Sequence, residues 1–289
     1  MDTLVKNLIE NSSSRDKLQK PNCKTRQGRT FLAFYLHTKF KQIINHDKKS
    51  PKQMLISYKD DFLENFTSRL IERPDDKILI SLTGESASGK STICQTISNC
   101  IKEFNLPVTI LSADNYFNDI SDLIKKFGNF DKLRDAGYDV DAPENFYLEQ
   151  LREDILELQK GHDIFAPEYL VNGTGISKPK SLPVKTNKII IVEGMSSIYD
   201  GVSDIFDLKV YIDLDEEVRK DRFMKRASQR NQDEQNALKH WDYVQTAGKK
   251  YVSSHKCDCD LVINGECDLK YFSDMIKYIH LITNNFTQD

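Results

Sequence analysis

Lys77-Ile-Leu-Ile-Ser-Leu-Thr-Gly84-Glu85-Ser86-Ala87-Ser88-Gly89-Lys90-Ser91-Thr92 carries the decision about the fold. Its first half is an unbroken apolar run closed by glycine, the pattern of a strand buried on both faces of a parallel sheet. Its second half matches G-x-x-x-x-G-K-[ST] over residues 84–91. Glycines at the two ends let the backbone curl so that successive N–H groups point inward, toward phosphate oxygens. The helix that follows offers its positive amino-terminal end. In that arrangement Lys90 reaches the β- and γ-phosphates and the Ser91 hydroxyl binds Mg²⁺. Gly84, Glu85, Ser86, Ala87, Ser88, Gly89, Lys90, Ser91 and Thr92 are therefore the expected ATP-binding residues. A Gly-Ser-rich turn with no ligand does not account for a lysine at the helix start.

Working outward, the downstream chain alternates apolar strands with amphipathic helices. Strands are expected at 107–114, 187–194, 208–215 and 259–265, with helices at 91–104, 145–160, 216–230 and 269–283. This alternation predicts an α/β fold: a P-loop NTPase-type parallel sheet of about five strands, covered by helices on both faces. Upstream, residues 1–76 read as a helical amino-terminal extension to a P-loop domain spanning 77–289. Its two helices are expected at Thr30–Ile44 and Gln53–Ile71. In the second, Met54, Leu55, Tyr58, Phe62, Phe66 and Leu70 recur three and four apart, with Pro51 before and Pro74 after. The extension carries about five more basic than acidic residues, which suits a solvated cap on the core.

Two further strands end in carboxylates. Ser112-Ala113-Asp114 closes the second core strand, and neighbouring parallel strands share one crevice at their carboxyl ends. Asp114 is thus expected beside the γ-phosphate, where it can take the proton of an attacking hydroxyl. Ile190-Ile191-Val192-Glu193 resembles a Walker B element, which gives Glu193 a place with Ser91 at the Mg²⁺. Arg219, Arg222, Arg226 and Arg230 are spaced three, four and four apart and form one stripe on a helix. The stripe suits a lid, about 216–232, that closes over phosphates. The expected catalytic set is Asp114, Lys90, Arg222 and Arg226.

The bulk properties restrict the alternatives. The chain has 289 residues and a formal net charge of −3, which gives no reason to expect nucleic acid as a partner. The first residues lack the unbroken apolar core of a leader peptide, and no apolar run nears the roughly 20 residues that span a bilayer. Six cysteines, scattered over a chain this large, are expected as reduced thiols. His255, Cys257, Cys259 and Cys267 lack C-x-x-C spacing and read as thiols rather than metal ligands. These features together point to the cytoplasm and leave a homo-oligomer open. A nucleotide switch would need D-x-x-G, which the chain lacks.

The order of these elements resembles the uridine kinase, phosphoribulokinase and pantothenate kinase family over about residues 77–266. Ser112–Phe117 resembles the segment carrying that family's catalytic aspartate, and Asp141-Ala-Pro-Glu-Asn-Phe146 resembles its D-H-P-D-A-F stretch. Residues 161–175 resemble the hairpin that reaches over the acceptor, 189–200 its E-G segment and 207–226 its strand and lid helix. The resemblance implies an ATP- and Mg²⁺-dependent kinase acting on a hydroxyl of a small metabolite, with Asp141, Tyr116 and Tyr169 on the acceptor. It points first to a nucleoside, uridine or cytidine. Pantothenate- or sugar-type acceptors, and a degenerate kinase serving as a nucleotide-binding regulatory module, are the alternatives. Three departures stand out. The hairpin has Thr174 or a neighbour where uridine kinases carry a base-reading histidine. The lid's R-G-R-D is Arg230-Asn231-Gln232-Asp233, and the stretch from Asn118 to Gly137 is longer.

Overall fold

Apolar runs that need cover on both faces end up in the middle of a sheet, and that rule orders this chain. The computed structural model describes residues 25–49, 53–73, 75–102, 107–267 and 271–279. In chain order the first elements are α1 (Arg26–Asp47), β1 (Leu55–Tyr58), α2 (Phe62–Glu72), β2 (Ile78–Thr83), α3 (Lys90–Lys102) and β3 (Val108–Ser112). Next come α4 (Ser121–Phe127), α5 (Phe130–Asp135), α6 (Leu148–Lys160), β4 (Ile164–Tyr169), β5 (Ser177–Val184) and β6 (Ile189–Glu193). The last are β7 (Leu208–Asp213), α7 (Glu216–Gln229), α8 (Glu234–Tyr251) and β8 (Leu261–Asn264), followed by a helix over 271–279.

Six strands form one sheet in the order β1-β8-β7-β2-β6-β3. Every residue of β2 and β6 is buried, as their unbroken apolar runs require. Five strands are parallel, and the register pairs Glu193 with both Leu82 and Ser112. The carboxyl ends of β2, β6 and β3 are therefore level, and the loops that leave them meet at one edge. One face packs against a core that includes Leu36, Phe40, Phe66, Ile97 and Phe272. The other is covered by α6 through Leu151, Ile155 and Leu158. β4 and β5 form a separate antiparallel hairpin whose last pair is Tyr169 with Ser177.

The five expected strands are all present, and a sixth corrects the reading of residues 53–71 as one helix. Leu55–Tyr58 is instead a strand, antiparallel to β8 with Leu55 opposite Ile263 and Tyr58 opposite Leu261. The sheet is therefore mixed rather than all parallel. Tertiary pairing overrides the periodicity here. The Asp47 carboxylate takes the backbone N–H groups of Met54 and Leu55, at 2.8 Å for Leu55, and a turn at Asp60–Asp61 opens α2 at Phe62. Met54 still faces the same core as Phe62, Phe66 and Leu70, which is why the spacing mimicked a single helical face. The extension is tied in from below as well. Arg69 meets Asp207 at 2.7 Å in a buried pair, and Asp207 accepts the Leu79 N–H at 2.9 Å.

Expectations for residues 1–24, Pro51, Pro74, 103–104, 269–270 and 280–283 lie outside the described residues. Among the described residues, no helix is long and apolar enough to cross a membrane.

Candidate active site

The loop between β2 and α3 is wound as its sequence demands. Gly84 adopts φ +148, and a Cβ there would stand 2.5 Å from the Ile212 carbonyl oxygen, so only glycine fits. Ala87 is left-handed at φ +64 without being glycine, a conformation that costs about 1 kcal/mol and is held by its surroundings. Lys90 opens α3 and folds its side chain back over the loop, donating to the carbonyls of Gly84 at 2.8 Å and Glu85 at 3.0 Å. Burial lowers the Lys90 pKa, against the pull of the nearby Asp114 and Glu193 carboxylates. Glu85 turns away from the loop into a buried ion pair with Arg219 at 3.1 Å.

Asp114 leaves β3 in a single 3₁₀ turn, Ala113–Tyr116. Its side chain is exposed to a cavity, and the walls of that cavity partly desolvate it. That desolvation raises its pKa, while Lys90 and the Met195 backbone N–H work the other way. Gly194 leaves it room, since a Cβ there would sit 2.8 Å from Asp114 Oδ1. Glu193 ends β6 with one carboxylate oxygen accepting from Ser112 Oγ at 2.9 Å and the other from Ser91 Oγ at 3.4 Å. Burial and Asp114 raise its pKa. The Ser91 hydroxyl and Glu193 carboxylate thus converge as hard oxygen donors, a pair that fits Mg²⁺. Among the described residues no cluster of three His, Cys, Asp or Glu forms a cage, and Mg²⁺ at phosphate sites needs none.

A cavity of about 700 Å³ brings together Ser86, Lys90, Asp114, Asp141, Tyr169 and Arg226 from the expected set. Arg230 joins them from the end of α7, and the hairpin tip, Leu170–Gly173, forms part of the wall. The basic stripe is split by its own spacing. Arg219 is consumed by Glu85. Arg222 does not line the cavity; it lies 3.4 Å from the Ser88 carbonyl and 3.7 Å from Glu266. Tyr116 is a correction. It has no exposed surface, packs in the core beneath α6 and donates its hydroxyl to Asp154 at 2.7 Å. Its neighbour Phe117 points the other way and lines the cavity, 5.1 Å from Tyr169. Alternation after the strand decides which of the two faces the site, and the short 3₁₀ turn sets the phase.

Sequence reasoning missed the walls supplied by α5 and α8. Arg134 and Phe130 enter from α5, and His240 and Val244 from α8. The one signal available was the extra length of residues 118–137.

A level strand edge feeding a glycine-curled loop, a lysine at the following helix start and two flanking carboxylates define a P-loop protein of the α/β class. The profile of the Phosphoribulokinase / Uridine kinase family matches residues 79–269, and the chain belongs to that family. A uridine kinase of Schizosaccharomyces pombe is 30% identical over 201 residues, 68% of this chain and 42% of that protein. A uridine kinase of Clostridium novyi is 35% identical over 143 residues, 49% of this chain and 64% of that protein. The chain thus spans less than two thirds of the length of these relatives. Among solved structures, a candidate fructose transport system kinase from Silicibacter sp. TM1040 superposes with a TM-score of 0.53 at 18% identity. The overlap covers 69% of this chain and 95% of that one, and it bears on the fold.

Proposed function

We propose that the chain is an ATP-dependent kinase that transfers the γ-phosphoryl group to a hydroxyl of a small metabolite, a nucleoside such as uridine or cytidine first among them. The observation that carries the reading is that Lys90, Asp114, Asp141 and Arg226 share one cavity with the hairpin's Tyr169. The backbone of residues 84–89 cradles the β-phosphate, and Lys90 leaves the loop carbonyls for the β- and γ-phosphate oxygens. Ser91 and Glu193 would hold Mg²⁺, which would neutralise phosphate charge when bound. Asp141 and Tyr169 hold the acceptor so that its hydroxyl faces Asp114. Asp114 accepts the hydroxyl proton as the new P–O bond forms and ADP leaves. Arg226 and Arg230 face the transferring group and exclude water, so that attack by water does not compete. A raised pKa makes the Asp114 carboxylate a stronger base toward the hydroxyl proton.

Uridine kinases among the relatives support the nucleoside as first candidate. The cytoplasm is the proposed place of work. Cys94, Cys257 and Cys259 are free thiols, as a reducing compartment keeps them. The deciding experiment couples ADP release to each acceptor of a nucleoside panel. Asp114→Asn is expected to lower kcat by about 10²-fold or more while ATP still binds. Normal turnover in that variant would remove Asp114 from the chemistry.

A further inference from the structure

Arg134 enters the cavity from α5, a helix inside the lengthened stretch, and its guanidinium is unusually short of partners for its burial. The side chain is 10% exposed. Nη2 faces His240 Nε2 at 3.3 Å. The Asp131 carboxylate stands 3.8 Å from Nη1, too far for a hydrogen bond. The rings of Phe130 and Tyr243 lie 5.5 and 5.8 Å from its central carbon and fix its plane. A guanidinium has five N–H donors and no acceptor, and beyond its bond to His240 Arg134 has donors to offer in the cavity that it lines.

Its place along the cavity follows from the walls. Arg134 and Asp141 also line an adjoining hollow with Tyr138, Asp242 and Lys250, to which no residue of the phosphate loop contributes. Arg134 therefore stands with Asp141 on the side away from the phosphate loop. His240 adds no competing charge there. Burial, with Arg134 and Arg230 nearby, pushes its pKa down to about 4, so the neutral ring accepts from Arg134 through Nε2.

Resting on the kinase reading above, we infer that Arg134 is an acceptor-selecting residue: it requires a metabolite whose end remote from the phosphorylated hydroxyl presents oxygen lone pairs and no N–H donor to the guanidinium. A pyrimidine 4-carbonyl meets that requirement and a 4-amino group does not; a carboxylate meets it as well. These two sources share one chemistry and are separated by the panel. The full-length chain is assayed for ADP release with ATP and Mg²⁺ and, in turn, uridine, cytidine or pantothenate. Two results support the inference: uridine exceeding cytidine in kcat/KM by on the order of 10- to 100-fold, or pantothenate alone being turned over. In either case Arg134→Met lowers kcat/KM for the preferred acceptor by a similar factor through KM, with KM for ATP unchanged. Arg134→Lys, which keeps the charge and loses the fork, shows an intermediate loss and serves where the methionine variant does not fold. Equal use of uridine and cytidine overturns the inference, as does a preference that survives both substitutions. ADP release with none of the three acceptors overturns the kinase reading along with it, so the two failures are distinct.

Discussion

Asp141 sits where several charges meet. Burial, with Asp139 and Asp114 nearby, raises its pKa to about 6, against the opposing pull of Arg134. A raised carboxylate pKa means that a proton binds in a range where an ordinary aspartate is still charged. On the kinase reading proposed above, the charged form is the stronger acceptor for sugar hydroxyls, so kcat/KM for the acceptor is expected to fall as pH drops through about 6. Asp141→Asn should lower kcat/KM by about 10-fold or more and flatten that limb of the pH profile. A limb unchanged in the asparagine variant would assign it to Asp114, whose pKa burial also raises. At this scale the sequence was legible wherever a side chain is tied to its own strand end. Lys90, Asp114 and Glu193 each sit within two residues of a strand or helix terminus, so motif and geometry coincide. Arg134 and His240 meet across 106 positions, and nothing local in either segment marks them.

Between residues and the molecule stands the pair α7–α8, which clasps the phosphate loop. The ion pair of Arg219 and Glu85 is almost wholly removed from water, at 3% and 10% exposed, with the Trp241 ring of α8 5.5 Å from the guanidinium. One Glu85 oxygen has no hydrogen-bond partner, so the arginine carries much of the compensation for burying that carboxylate. Arg219→Met is expected to cost about 3–5 kcal/mol in urea unfolding, the usual consequence of stranding one buried charge. The double variant Glu85→Gln/Arg219→Met should recover part of that loss. A single variant as stable as the parent would show that Glu85 finds another partner. The α7 helix was legible because Arg219, Arg222, Arg226 and Arg230 recur three and four apart directly after a core strand. The α8 helix was not. Its buried face is built from Ala237, Trp241, Gln245, Ala247 and Gly248, and with Trp241 its one large apolar side chain it leaves no apolar period to read. Gly248 is bare because a Cβ there would stand 3.0 Å from Glu85.

For the molecule as a whole, the amino-terminal region is built into the same core as the strands. Leu36, Phe40, Met54 and Phe66 belong to the cluster that covers β2, β7 and β8, and β1 closes the β8 edge. A fragment beginning at residue 77 would bare that edge and strand Asp207 without Arg69. It is expected to give little soluble protein and to bind a hydrophobic dye such as ANS. A monomeric 77–289 fragment with the ellipticity and ATP affinity of the full chain would refute this. The parallel strands were legible from apolar runs alone, because double burial leaves no polar alternation to mislead. The edge strand was not, because only one flank of it is covered and its identity depends on a partner about 200 positions away.

The β4–β5 hairpin has its own consequence. Its base is fastened through Ile164, Ala166, Leu182 and Val184 to the layer under α6, while its tip borders the cavity and shares no ladder with the main sheet. Residues 170–174, ahead of the point where Gly175 packs on Ile120 and Ile124, are accordingly a graftable cassette. On the kinase reading proposed above, loops of other length or chemistry exchanged there would retune which alcohol is admitted, with the machinery proposed to grip the triphosphate left in place.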